Sequence, residues 1–317
     1  MKVTCVWQSE KHSAFTDLIY FEHSWWCAFR EGATHMSLDG AIRVMTSVNG
    51  KDWQTQTVLT WQGGDLRDPK FSLRTDGKLL LTAGMRWSTP INSRETLYSL
   101  GFLYHAETQT WQEPVIDGMG KATWRWAPTW HDNKAYSVGY AGKDRQGCLY
   151  QSQDGLRWLM HKAPFFPDSR VFSNESSLAF DGDRAYCLTR RDAVGGVKAV
   201  LGVAEAPFER WHWKTLNKAL GGQKLLRLSN GEWIAGFRSI NTKRDSAKTV
   251  IQKLDVTKAR LKPWLTLPSG GDCSYVGMVE KDGFLSVSYY ASHEGDQAHI
   301  YFAVIPLRTK KRSRRFR

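Results

Sequence analysis

The chain has 317 residues, a net charge of +13, 13% aromatic residues and 15 tryptophans. That length holds a large core in roughly one to three domains; no apolar run approaches the ~18 residues of a membrane-spanning helix, and the opening MKVTCVWQSEKH lacks the apolar stretch of a signal peptide. Five scattered cysteines without a CxxC pair exclude a disulfide scaffold or a zinc cluster and point to a reducing, cytoplasmic compartment, with no metal or cofactor expected.

Short, often alternating apolar runs are punctuated by eight Asp-Gly or Asn-Gly pairs, from Asp39-Gly40 to Asp282-Gly283. That is the pattern of an all-β protein built of hairpins. In chain order a unit recurs with a period near fifty residues. The units span about 14–62, 65–117, 122–164, 171–216, 220–266 and 269–308. Each offers an inner strand, a tight turn, a second strand, a loop and then outer strands, which is the pattern of a propeller blade. The predicted fold is a single six-bladed β-propeller over 1–308. The sixth unit is short of a strand, and residues 2–7, KVTCVW, are predicted to supply it and protect the edge. Residues 309–317 are read as a basic, disordered tail. Seven basic residues and no acid lie in 308–317, so the body carries +6; such a tail is usually solvated, and contact with nucleic acid is the weaker alternative.

Two units carry a further mark between their third and fourth strands. Ser47-Val48-Asn49-Gly50-Lys51-Asp52-Trp53 and Ser152-Gln153-Asp154-Gly155-Leu156-Arg157-Trp158 share Ser-x-(Asp/Asn)-Gly-x-x-Trp. The Asp or Asn side chain bonds turn N–H groups, Gly takes the positive φ, and Trp packs back on the turn. This motif is structural.

In a propeller the starts of the inner strands and the loops after the second strands open at one face. Blade one brings Asp17, Arg30, Glu31 and His35 there; blade two brings Arg67 and Asp68; blade three brings Arg125 and Trp126. Blade four brings Glu175, Arg190, Arg191 and Asp192, blade five Gln223 and Arg238, and blade six Asp272, Tyr275, His293 and Glu294. Arginines recurring at equivalent positions suit a carboxylate or sulfate, because the guanidinium fork binds such groups bidentately. The carboxylates offer acid and base groups, and Trp126 offers a stacking face for a sugar. The bland alternative is a salt-bridge network lining the channel.

These residues resemble a known family. The two Trp turns resemble the Asp-box (BNR) repeats of sialidases, and six units are similar to the sialidase propeller. Asn174-Glu175 followed by Thr189-Arg190-Arg191-Asp192 resembles the family's Glu-then-Arg segment. Arg238 falls where the next arginine of the family's triad stands, and Tyr275 resembles the nucleophilic tyrosine. The resemblance covers the whole chain in architecture, and in motifs only blades four to six and the two turns. It implies an exo-α-sialidase-like glycosidase in which Tyr275 attacks the anomeric carbon, Glu175 takes its proton, and Arg191 and Arg238 hold a substrate carboxylate. The chain departs from the family in blade one. Its first inner strand, HSAFTDL, has Asp17 and no arginine, so Arg67 or Arg30 would have to substitute. The family's acid has no clean counterpart; Glu31 is nearest, with His35 behind it, and Asp17 competes.

Three functions therefore stand side by side: a glycosidase on an anionic or modified glycan, a non-catalytic glycan- or protein-binding propeller, and a polysaccharide lyase using Tyr275 with His293 or His35. A fold does not choose among them.

Overall fold

The computed structural model describes residues 1–87, 97–193, 197–239 and 247–307; the basic tail lies outside them. Twenty-four strands, β1 to β24 in chain order, form six four-stranded antiparallel sheets among the described residues. Blade one is β2–β5 (12–59), blade two β6–β9 (64–111), blade three β10–β13 (124–162), blade four β14–β17 (172–215) and blade five β18–β21 (221–266). Blade six is β22–β24 (273–306) with β1, Lys2–Trp7, paired antiparallel on β24, His299–Pro306. The first strand of the chain thus completes the last blade and covers its edge. The molecule is a six-bladed β-propeller, and no helix among the described residues is long and apolar enough to cross a membrane.

Apolar faces of neighbouring blades meet to form the core. Val138 and Leu149 of blade three, for example, pack with Leu178, Ala185 and Cys187 of blade four, all buried. Each such Leu or Val contributes about 1.5–3 kcal/mol relative to exposure. The two Trp turns share one hydrogen-bond pattern. Asn49 Oδ1 accepts from the N–H of Lys51 and Asp52 at 2.8 and 2.9 Å. Asp154 Oδ1 accepts from Leu156 and Arg157 at 2.8 and 2.7 Å. The Ser hydroxyls of Ser47 and Ser152 accept from Gly50 and Gly155.

One feature of the inner strands sets up the site. All six carry a register shift at the same place: Ala14/Asp17 in β2 (His12–Phe21), Arg67/Lys70 in β6 (Gly64–Leu73), Trp126/Thr129 in β10 (Trp124–His131), Ser173/Ser176 in β14 (Phe172–Asp181), Gly221/Lys224 in β18 (Gly221–Arg227) and Ser274/Gly277 in β22 (Cys273–Lys281). Each bulge sets two residues against one of the partner strand and re-aims a side chain. The first bulge residue has positive φ in five blades, at Phe15, Asp68, Ala127, Gly222 and Tyr275. In blades two and three the second is a proline, Pro69 and Pro128, which suits a position outside the hydrogen-bond ladder.

Candidate functional site

Six bulges at equivalent positions bring Phe15, Asp68, Ala127, Asn174-Glu175, Gly222 and Tyr275 into one ring at the end of the channel. Tyr275 donates its phenolic hydrogen to Glu175 Oε1. Both residues are buried. Glu175 Oε2 accepts from the backbone N–H of Gly222 at 2.8 Å, and Arg190 Nη1 reaches both carboxylate oxygens at 3.1 and 3.3 Å. Burial works to raise the Glu175 pKa, but Arg190, the Tyr275 hydroxyl and the Gly222 N–H outweigh it and leave the group below its ordinary value. Burial pushes the Tyr275 phenol well above its ordinary value, and the negative charges of Glu175 and Asp68 add to this; Arg238 and Arg190 oppose it. The resting pair is a neutral phenol on an ionised carboxylate. Such a base beside the hydroxyl is what a phenol needs to act as a nucleophile near neutral pH.

The Tyr275 ring is fixed on all sides. Phe15 lies edge-on at 5.0 Å, Trp126 at 5.9 Å and Tyr290 at 6.1 Å between ring centroids. The Arg238 guanidinium stands 5.8 Å from its centroid. Beside this cluster, Asp272 gathers four donors. Its Oδ1 accepts from the Tyr290 hydroxyl at 2.8 Å and from Arg238 at 3.3 Å. Its Oδ2 meets His12 Nε2 at 2.9 Å and His35 Nδ1 at 2.6 Å. Burial alone would raise the Asp272 pKa, but the His12 and His35 contacts and the Tyr290 bond hold it well below the carboxylate range.

Asp68 occupies the blade-two bulge. It is buried, and its Oδ1 has no hydrogen-bond partner. Burial, opposed by the charges of Arg67 and Lys70 and helped by those of Glu175 and Asp65, raises its pKa to about 6. Deeper in the channel Asp17 accepts from the Phe71 N–H at 2.8 Å and pairs with Lys224 of blade five at 3.2 Å. Lys70 donates to the Thr16 carbonyl at 3.0 Å and lies 4.9 Å from the Trp126 ring centroid.

Several expectations from sequence need correction. Arg190, and not Arg191, meets Glu175. In β14 and β15 (Arg184–Asp192) the pairs Ser173↔Arg191 and Ser176↔Thr189 leave Arg190 facing the bulge that holds Glu175. Arg191 Nε instead donates to the Lys198 carbonyl at 2.9 Å, and the side chain lines a separate surface cavity with Asp168 and Trp213. Glu31 pairs with Arg43 at 2.7 Å and accepts from Trp7 at 2.9 Å. Asp17 is held by Phe71 and Lys224. Neither acid contacts Tyr275 or Glu175. Arg30 is fully buried on Asp65 at 2.7 Å and holds the Thr34 and Ser37 carbonyls, so it braces the loop after the second strand of blade one. Trp126 is buried beneath Tyr275 and offers no open stacking face. His293 packs against Tyr301 at 4.9 Å, and Glu294 accepts from the Tyr301 hydroxyl at 2.7 Å, outside the Tyr275 cluster. Arg238 and Asp272 adjoin Tyr275 directly or through Tyr290. Arg67 stands 4.8 Å from the Phe15 ring centroid and pairs with Asp65 at 3.1 Å; His35 is 5.2 Å from Phe15.

Sequence reasoning passed over His12, Phe15, Gly222 and Tyr290. His12 and Phe15 were visible as the opening of the first inner strand, the same place in the repeat as Tyr275. Tyr290 had no comparable signal.

No family model and no curated protein matches the sequence. Solved structures do. A protein of unknown function from Dyadobacter fermentans DSM 18053 superposes with a TM-score of 0.81 at 18% identity, over 96% of this chain and 98% of that one. A mutant of Trypanosoma rangeli sialidase displaying trans-sialidase activity gives 0.69 at 13% identity, over 93% of this chain and 54% of the other, so this chain spans about half that protein's length. Penicillium chrysogenum alpha-L-arabinanase, complexed with arabinobiose, gives 0.65 at 10% identity, over 93% of each chain. At these identities the likeness establishes the fold: a sialidase-like six-bladed propeller, shared with glycoside hydrolases.

Proposed function

We propose that this propeller is a glycoside hydrolase that works through Tyr275. The observation that carries the reading is the buried hydrogen bond from the Tyr275 hydroxyl to a Glu175 carboxylate kept ionised by Arg190 and the Gly222 N–H. Tyr275 oxygen bonds to the anomeric carbon as the glycosidic C–O bond breaks, and the phenol proton passes to Glu175. Asp68, at the bulge position equivalent to Tyr275, gives the leaving oxygen its proton. Its unpartnered Oδ1 and a pKa of about 6 suit it to hold a proton near neutrality. Water then attacks the glycosyl-tyrosine, losing its proton to Asp68, and Glu175 returns a proton to the departing phenolate.

The arginine-rich mouth suggests an anionic glycan from sequence alone. Yet each arginine at the mouth already meets a carboxylate: Arg190 meets Glu175 and Asp192, Arg67 meets Asp65, and Arg238 meets Asp272. That balance favours an uncharged glycan. The arabinobiose complex of the arabinanase and the sialidase relatives both support a sugar as the ligand.

The test is a panel of neutral and anionic oligosaccharides scored for released reducing sugar. On the best substrate Tyr275→Phe and Glu175→Gln should each lose at least about a hundredfold, the scale on which catalytic proton transfer contributes. Full activity in both variants would sink the mechanism through Tyr275, an unsaturated product absorbing in the ultraviolet would replace the hydrolase with a lyase, and no released sugar from any oligosaccharide of the panel would leave a binding propeller.

A further inference from the structure

We propose that His12, His35 and Asp272 form a binding site for a divalent transition metal of the zinc class at the mouth of the channel. No sequence motif announces it, because Asp272 stands 237 residues from His35 and 260 from His12. The closing of blade six on blade one brings them together.

Three observations carry the proposal. First, the donor atoms converge: His12 Nε2, His35 Nδ1 and Asp272 Oδ2 all lie within 4.8 Å of one another. Both imidazole nitrogens aim at the same oxygen, at 2.9 and 2.6 Å. An ion with tetrahedral bonds of about 2.0–2.2 Å to nitrogen and oxygen holds its ligand atoms roughly 3.3–3.5 Å apart, so the two imidazoles swing out from their hydrogen bonds to Oδ2 to admit it. Two imidazoles and a carboxylate, with a position left open, suit zinc or a neighbouring first-row metal.

Second, the carboxylate is already oriented as metal ligands are. Tyr290 and Arg238 hold Oδ1 and leave Oδ2 for the ion, and the Asp272 N–H donates to Ser292 Oγ at 3.1 Å. Such outer contacts set ligand direction and are a normal part of metal sites. The imidazoles are set by packing: His12 and His35 meet edge-to-face at 5.2 Å, and Phe15 braces His35. Nδ1 of His12 is buried without a partner, so no second contact fixes its tautomer, and the proton can sit there while Nε2 binds the ion.

Third, the site has an entrance. The His35 side chain is 43% exposed while that of His12 is 11% exposed, so an ion enters from the His35 side and keeps its open position toward the mouth. Arg238 shares the carboxylate and lowers the affinity by its like charge. The bound ion would receive a hydroxyl of the sugar. Metal binding itself does not depend on the hydrolase reading.

The experiment uses the full chain, stripped with a chelator and titrated with Co2+ followed by its visible ligand-field bands, with Zn2+ by calorimetry in parallel. One Co2+ per chain is expected. His35→Ala and Asp272→Asn should each weaken it by about tenfold or more, Tyr290→Phe by a smaller factor within the roughly 10–100-fold range of outer-shell partners, and Tyr275→Phe should bind as the parent does. Thermal melts confirm that the exposed His35 variant folds. Absence of stoichiometric Co2+ binding, or binding that survives both His35→Ala and Asp272→Asn, overturns the proposal whatever the glycan panel shows. Metal binding without glycan cleavage would overturn the hydrolase reading and leave the metal site standing.

Discussion

The ring of Tyr275 rests on the backbone of Gly222. A methyl group at residue 222 would stand 2.6 Å from Tyr275 Cγ, and the residue has φ +57°. The same glycine donates its N–H to Glu175. Gly222 thus sets the distance between the two members of the pair, one by contact and one by a hydrogen bond. Gly222→Ala is expected to destabilise the fold by about 1–3 kcal/mol, from the left-handed backbone and the overlap. It should also push Tyr275 off Glu175 and lower activity by about a hundredfold, the cost of a displacement near 1 Å. Denaturant unfolding and rates on one substrate check both. A fully active alanine variant would show that the ring does not need this seat.

Arg30 and Asp65 form a salt bridge at 2.7 Å with side-chain exposures of 0% and 1%. Removing one partner strands a buried charge, so Arg30→Ala is expected to cost about 3–5 kcal/mol of stability. Weaker ligand binding with unchanged stability would instead make Arg30 a ligand contact. The expected outcome in urea unfolding is a large fall in the midpoint.

Four of the five cysteines are buried and Cys5 is exposed. Burial pushes the thiols of Cys27, Cys148 and Cys187 up to about 12 and also raises Cys273. Thiolate is the reactive form, so a thiol reagent should titrate one group per native chain, at Cys5, and five after denaturation. Two or more fast groups in the native chain would contradict this packing.

The blades are legible because hairpin signals are local: Asp282-Gly283 and its counterparts announce each turn without reference to the rest of the chain. The ring of site residues is legible in part. Tyr275 and Glu175 open inner strands, and the repeat aligns them. Period-two alternation separates Arg190 from Arg191 but does not say which one reaches the mouth. That depends on the bulge in β14, a property of the neighbouring strand. Glu31 and Arg30 fail for a related reason: an acid and an arginine at a strand end pair within their own blade or with its neighbour once buried, and no sequence pattern marks those partners. The meeting of His12 with Asp272 is created only by closure of the ring.

Asp68 supplies a pH signature of the site. Its folded pKa is raised to about 6, whereas an unfolded aspartate titrates near 3.9. Between these values the folded chain binds more protons than the unfolded one, so stability falls as pH rises. The sign is opposite to that of an ion-paired carboxylate. The protonated acid fits its unpartnered, buried position; ionising it there places a charge beside Glu175 and Asp65. The contribution is fully present below about pH 4 and lost by about pH 6, and a shift near two units corresponds to roughly 2–3 kcal/mol. Asp68→Asn removes the titration while keeping the shape. The parent-minus-variant difference in unfolding free energy, measured from pH 4 to 7, should therefore fall by that amount. A flat difference would mean that Asp68 is ionised throughout, and with it the assignment of Asp68 as proton donor would fail.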